Sequence, residues 1–143
     1  MTVLTITATK VRPLQQQGCI VIPSFRAAEA MTVGDVVYVS DATNRKVTRT
    51  DADTLATVRG MVYLVVAGGR HKTDGAIAID EAVDLVEFGP VNLGATLDVT
   101  KTYYASNTTG KIDDAPGTSV RRLGYARDTE VFFFNPMVAP AGS

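Results

Sequence analysis

The sequence predicts a mainly β protein, a small β-barrel or β-sandwich with an extended N-terminal arm and at most one or two short helices. Three observations lead there. Apolar and polar residues alternate with period two in short runs, and turn residues interrupt those runs at regular intervals. Helical periodicity is nearly absent. The length of 143 residues fits one domain that buries a real core, and hydrophobic residues make up 45% of it.

The elements follow in chain order. Residues 1–17 are Thr-rich, almost free of acids and end in Gln15, Gln16 and Gln17. They read either as a first strand or frayed end, or as an arm that adds a strand to a neighbouring surface. A β domain is expected over 18–136, with strands at 18–22, 35–40, 46–50, 58–66, 75–79, 83–88, 102–106, 122–126 and 130–134, most of them rich in β-branched or aromatic residues. The connectors carry turn formers: Asn44 and Arg45, Gly68 and Gly69, Asp74 and Gly75, Gly89 and Pro90, Thr109 and Gly110, Asn135 and Pro136. Residues 25–31 read either as one short helix, with Ser24 as N-cap and Val33 and Gly34 closing it, or as an extended linker of small residues, and a second turn of helix is expected over 51–56. The imperfect alternation of 84–88 suggests an edge strand blunted by charge. Residues 137–143 read as a tail.

A weak internal echo runs through the domain. The stretch 37–40 with Lys46 and Val47 resembles 103–106 with Lys111 and Ile112, and the run 58–63 resembles 120–125. Each unit reads as a hairpin, a loop and a strand interrupted by Gly, which marks a bulge or a close backbone approach.

Composition argues against most chemistry. Fourteen Lys and Arg against fifteen Asp and Glu give a net charge of −1, too little excess charge for direct nucleic-acid binding by bulk electrostatics. A single His removes any multi-His metal site, and a single Cys removes a disulfide framework. Cys19 lies in an apolar run and reads as a buried small hydrophobe. His71, beside Gly68, Gly69, Arg70 and Lys72, has neither a P-loop nor a nucleophile elbow around it. The carboxylates of Asp51 and Asp53, of Asp80, Glu81 and Asp84, and of Asp113 and Asp114 fall at expected turns or strand edges, without EF-hand spacing. The chain is therefore expected to be no enzyme, with no catalytic, cofactor or metal residues. No stretch is apolar and long enough for a membrane helix, and the N-terminus lacks the pattern of a secretory signal.

Phe132, Phe133 and Phe134 must point to both faces of their strand. The outcome is either a two-sided core or a buried subunit contact.

With the segments in that order, the chain resembles the decoration, or cement, proteins of tailed-bacteriophage heads. The resemblance rests on residues 30–40 with Lys46 and Val47, then 52–56, 59–63, 67–69, 86–91, 103–112 and 122–125, with Phe133, Phe134, Asn135 and Pro136 closing; it covers about 18–136. It implies a structural virion protein that is made in the host cytoplasm, binds the outer capsid surface and stabilises the shell against internal DNA pressure. The implied partners are the major capsid protein and further copies of the chain, a trimer by resemblance, with no membrane partner. The N-terminal segment would reach the shell through Thr2, Val3, Leu4, Thr5, Ile6 and Arg12, and Phe132, Phe133 and Phe134 are the candidate subunit contact. Deleting residues 1–12 would then leave a folded protein that no longer binds shells. The runner-up is a tail-tip or fibre-associated receptor-binding β module.

Overall fold

The computed structural model describes residues 2–68 and 74–136. The expected basic loop around His71 and the tail 137–143 lie outside the described residues. All nine expected strands are present, and the chain is mainly β with a closed five-stranded barrel.

Three short strands join those nine: β1 (Arg12–Pro13), β3 (Met31–Thr32) and β10 (Ile112–Asp113). The others are β2 (Ile20–Ala27), β4 (Val36–Asp41), β5 (Lys46–Arg49), β6 (Val62–Gly68), β7 (Ala76–Ile77), β8 (Ala82–Asn92), β9 (Thr102–Ala105), β11 (Arg122–Ala126) and β12 (Val131–Phe134). One α-helical turn, α1 (Leu55–Val58), stands a few residues beyond the 51–56 expected. Asp51 instead turns the chain ahead of it, its carboxylate accepting the Asp53 amide at 2.9 Å.

The helix expected over 25–31 is not formed. After Pro23 the backbone of Ser24 takes φ 75°, the register against β8 shifts between Ile22 and Phe25, and β2 continues. Arg26 and Ala27 then pair in parallel with Lys46 and Val47 of β5. Seven residues offer few intrahelical bonds against the cost of helix nucleation. The sheet supplies bonds from both sides, including the Ala27 amide to the Glu81 carbonyl at 3.0 Å and the Ala28 amide to the Val47 carbonyl at 2.8 Å.

Strand β8 corrects a second expectation. It is eleven residues long and central, pairing with β2, β6, β12 and β1 rather than lying at an edge. Its first half belongs to the barrel β8-β2-β5-β4-β6, which closes because β6 pairs back to β8. Its second half continues into the sheet β10-β9-β11-β12-β8. The changeover is at Gly89, φ 119°, where a Cβ would stand 2.5 Å from the Cys19 Cα. Only Gly fits that backbone and that approach. The alternation of 84–88 is imperfect because the register slips here against both neighbours, between Ile20 and Val21 of β2 and between Val65 and Ala67 of β6, so that Leu85 and Val86 are both buried.

The two halves use the same pairing scheme. The hairpin β4–β5 pairs through β4 with β6, which pairs with the first half of β8, which pairs with β2. The hairpin β9–β10 pairs through β9 with β11, which pairs with β12, which pairs with the second half of β8. Gly124 produces the bulge in β11, and a Cβ there would collide with the Phe133 carbonyl.

The core is continuous between the halves: Val36, Val47, Leu64, Leu85 and Val86 lie in the first, and Leu93, Ile112, Leu123, Phe132 and Phe134 in the second, all with 0% exposure. Arg121 joins them. Buried to 2% exposure, it donates from Nη1 to the carbonyls of Val58 (3.0 Å) and Gly60 (2.7 Å) and from Nη2 to that of Pro136 (2.6 Å). The guanidinium thus ties the α1–β6 corner to the end of β12, using acceptors that the short helix leaves over.

Candidate interaction surfaces

The N-terminal segment lies along the second sheet. The Thr2 amide donates to Asp114 Oδ1 at 2.8 Å, Val3 forms a bridge with Asp113, and the Leu4 amide donates to the Ile112 carbonyl at 2.7 Å. At its other end Arg12 and Pro13 pair with Asn92 and Val91. Residues 2–13 therefore reach from β10 to β8, the two strands that would have to meet for the second half to close. Val11 is part of the core, Leu4 and Ile6 pack against it, and Ile6 covers Gly34.

Of the candidate shell-binding residues, Val3, Leu4 and Ile6 thus turn at least partly toward their own protein, whereas Thr2, Thr5 and Arg12 are exposed. Thr2, Val3, Leu4, Thr5 and Arg12 together line a cleft of about 1110 Å³, whose far wall is built by 94–98, Lys101 and Tyr103. Lys101 Nζ stands 2.9 Å from Asp114 Oδ2. That hydrogen bond first, and the Thr2 amide after it, hold the Asp114 carboxyl below the usual carboxylate range, and Asp114 raises the Lys101 ammonium in return. The cleft is lined by hydroxyls and balanced charges.

The three phenylalanines divide. Phe132 and Phe134 are fully buried and pack with each other, with Tyr103 edge-on to Phe132. Rings without exposure have no surface for a partner, so the subunit-contact expectation does not apply to these two. Phe133 faces outward. Tyr125 stacks on it at 5.5 Å between ring centroids, and Phe88 meets it edge-on at 5.2 Å. Ile20 pairs with Phe88 across β2 and β8. Ile20, Phe88 and Tyr125 are 49%, 38% and 50% exposed, so four adjacent strands present one apolar face to the outside. Sequence reasoning reached Phe133 and missed the other three. Tyr125 and Phe88 are single aromatics in half-apolar runs, and only the pairing of β11, β12, β8 and β2 brings them together.

The chemical candidates have structural surroundings. Cys19 is buried, and desolvation pushes its thiol up and keeps it protonated. Asp113 is buried and accepts the Ala115 amide at 3.1 Å, while Thr118 donates to Asp53 at 2.9 Å. Among the described residues no three His, Cys, Asp or Glu side chains are grouped to hold a metal ion, and no helix is long and apolar enough to cross a membrane.

Comparison with known proteins finds no matching family model, no matching curated protein and no matching solved structure.

Proposed function

We propose that the chain is a non-enzymatic structural protein that decorates the outer surface of a bacteriophage head and stabilises the shell, working as a homo-oligomer. The observation that carries this reading is the apolar face of Ile20, Phe88, Phe133 and Tyr125. Single exposed apolar residues are ordinary, but a contiguous aromatic set on the outside of a sheet is the composition of an interface centre. We assign that face to contact between copies, a trimer by resemblance to decoration proteins. The exposed side of the N-terminal segment, Thr2, Thr5 and Arg12, is assigned to the major capsid protein. Many modest contacts of this kind suit a protein bound in high copy number.

Quantitative mass spectrometry of purified particles, with heads separated from tails, tests the role. Copy number comparable to the major capsid protein and confined to heads is the expected result, and absence from heads overturns it. The hydroxyl-lined cleft favours a second reading, a tail-associated module that binds a host-surface ligand. A few copies in the tail fraction would select it. Phe133→Ser tests the face itself: the expected outcome is a monomer by sedimentation with its melting temperature nearly unchanged, because the ring lies outside the core. An unaltered oligomer would remove the face from the proposal.

A further inference from the structure

Among the described residues, three non-glycine residues have left-handed backbones: Ser24 (φ 75°), Arg45 (φ 55°) and Asp80 (φ 69°). They come from three separate places in the chain, the bulge in β2, the turn between β4 and β5, and the turn before β8. All three line one cleft of about 710 Å³, together with Arg26, Asn44 and Lys46. Such conformations are uncommon outside Gly, and clusters of them mark sites where the backbone is held for a purpose.

The charges in this cleft do not balance. Three cations, Arg26, Arg45 and Lys46, face one carboxylate, Asp80. Lys46 is already satisfied, its Nζ 2.8 Å from Asp80 Oδ1. Arg45 donates from Nε to the Ser24 carbonyl at 3.0 Å and lies over the Phe25 ring at 4.4 Å, which fixes the guanidinium and leaves its Nη atoms available. The Arg26 guanidinium makes no close hydrogen bond or ion pair among the described residues and acts on Asp80 only at longer range, lowering its carboxyl after Lys46 has done so. Arg26 and Lys46 are moreover directly opposite one another in the parallel pairing of β2 with β5, a like-charge cross-strand pair that destabilises a sheet unless an anion lies beside it. Asp80 supplies one such anion. The seam has room and charge for another.

We propose that this cleft binds the carboxylate side chains of an acidic segment of a partner protein, with Arg26 and Arg45 as the recognising groups. Two guanidinium forks match carboxylates bidentately. The cleft is wide enough for more than one side chain. Asp80 within it disfavours a compact dianion such as phosphate, which would lie against a like charge, more than it disfavours a singly charged carboxylate that reaches the arginines from the open side. The site lies on the first barrel and does not depend on the decoration role.

The test is a titration of the full chain with hexaglutamate peptide, followed by amide NMR at low and high salt, with inorganic phosphate as a parallel titrant. The expected result is saturable shifts at the amides of Arg26, Arg45 and Lys46 that fade as salt screens them. Arg26→Gln should weaken the interaction about five- to tenfold. Arg45→Asn should do the same while keeping the turn, since Asn tolerates the left-handed conformation. Circular dichroism and melting of both variants verify their fold. Absence of saturable shifts, or equal affinity in the folded variants, overturns the proposal. Binding of phosphate without hexaglutamate also overturns it, in favour of a small-anion site.

Discussion

The two halves of the molecule solve one problem in different ways. Both arrange five strands in the same order. In the first, β2 and β5 meet in parallel and the barrel closes on itself. In the second, the corresponding strands, the end of β8 and β10, are not paired with each other, and residues 2–13 run antiparallel to both. A sheet edge left open exposes unpaired amides and carbonyls and invites unintended pairing. The second half covers its edges with a segment from the far end of the chain. The N-terminus is thus a structural component of the half that follows last in sequence, and the two halves differ in what they lose when it is removed.

The largest expected effect follows from that difference. Deleting residues 2–13 removes Val11 from the core and the apolar contacts of Val3, Leu4 and Ile6, about 4–7 kcal/mol of buried side chain. Hydrogen exchange should show protection lost in β9–β12 and retained in β2–β6. This alters the expectation drawn from the sequence, that such a deletion leaves the fold intact. Loss of protection spread evenly over both halves would mean that they are one cooperative unit.

The link between the halves comes next. Arg121→Ala strands the carbonyls of Val58, Gly60 and Pro136 inside the protein and is expected to cost about 3–5 kcal/mol in urea unfolding. If the transition also separates into two steps, Arg121 is what couples the two halves. A cost below about 1 kcal/mol would assign the coupling to the shared strand β8 alone.

The smallest effect is electrostatic and confined to the second half. The Asp114 carboxyl is depressed by Lys101 and by the Thr2 amide, so its contribution is present above the ordinary Asp pKa and is lost as pH falls through the depressed folded value. Lys101 is raised, so its contribution holds below the ordinary Lys pKa and is lost as pH rises through the elevated folded value. The Thr2 and Leu4 amide resonances should therefore stay at their docked positions across neutral pH and move only at the two extremes. Asp114→Asn should abolish the acid-side transition and leave the amides of the first barrel unchanged. An acid-side movement that persists in the variant would place the anchor elsewhere.

Much of the fold was legible because period-two alternation and turn formers are local. A strand overlaps each of the nine expected runs, although β6 starts at Val62 rather than 58 and β2 and β8 run longer than expected, and the hairpins β4–β5 and β9–β10 fall on the two stretches that echo each other in sequence. Residues 25–31 misled because small residues after a Ser look like a capped helix, while the decisive bonds come from β5 and β8, far along the chain. Alternation showed that Phe133 and its neighbours Phe132 and Phe134 take opposite faces of the strand, and the structure decided that Phe133 is the outward ring. Its companions Tyr125, Phe88 and Ile20 were not legible, since three strand pairings separate them. The turns at Arg45 and Asp80 were legible, but the cleft of Ser24, Arg45 and Asp80 was not, because the bulge at Ser24 and the meeting of the three segments follow from the pairing of β2 with β5 and β8.

What the sequence determined by itself is the alternation that makes strands, the breaks that end them and the nearly balanced charge. These depend on neighbours a few residues apart. What the tertiary structure decided is closure: which strand covers which edge, how β8 serves two sheets through Gly89, and which side chains from distant segments share a surface. Closure depends on backbone hydrogen bonds between segments as much as a hundred residues apart, and every residue offers the carbonyl for them and every residue except Pro the amide. Side-chain identity therefore leaves them open until the chain has folded.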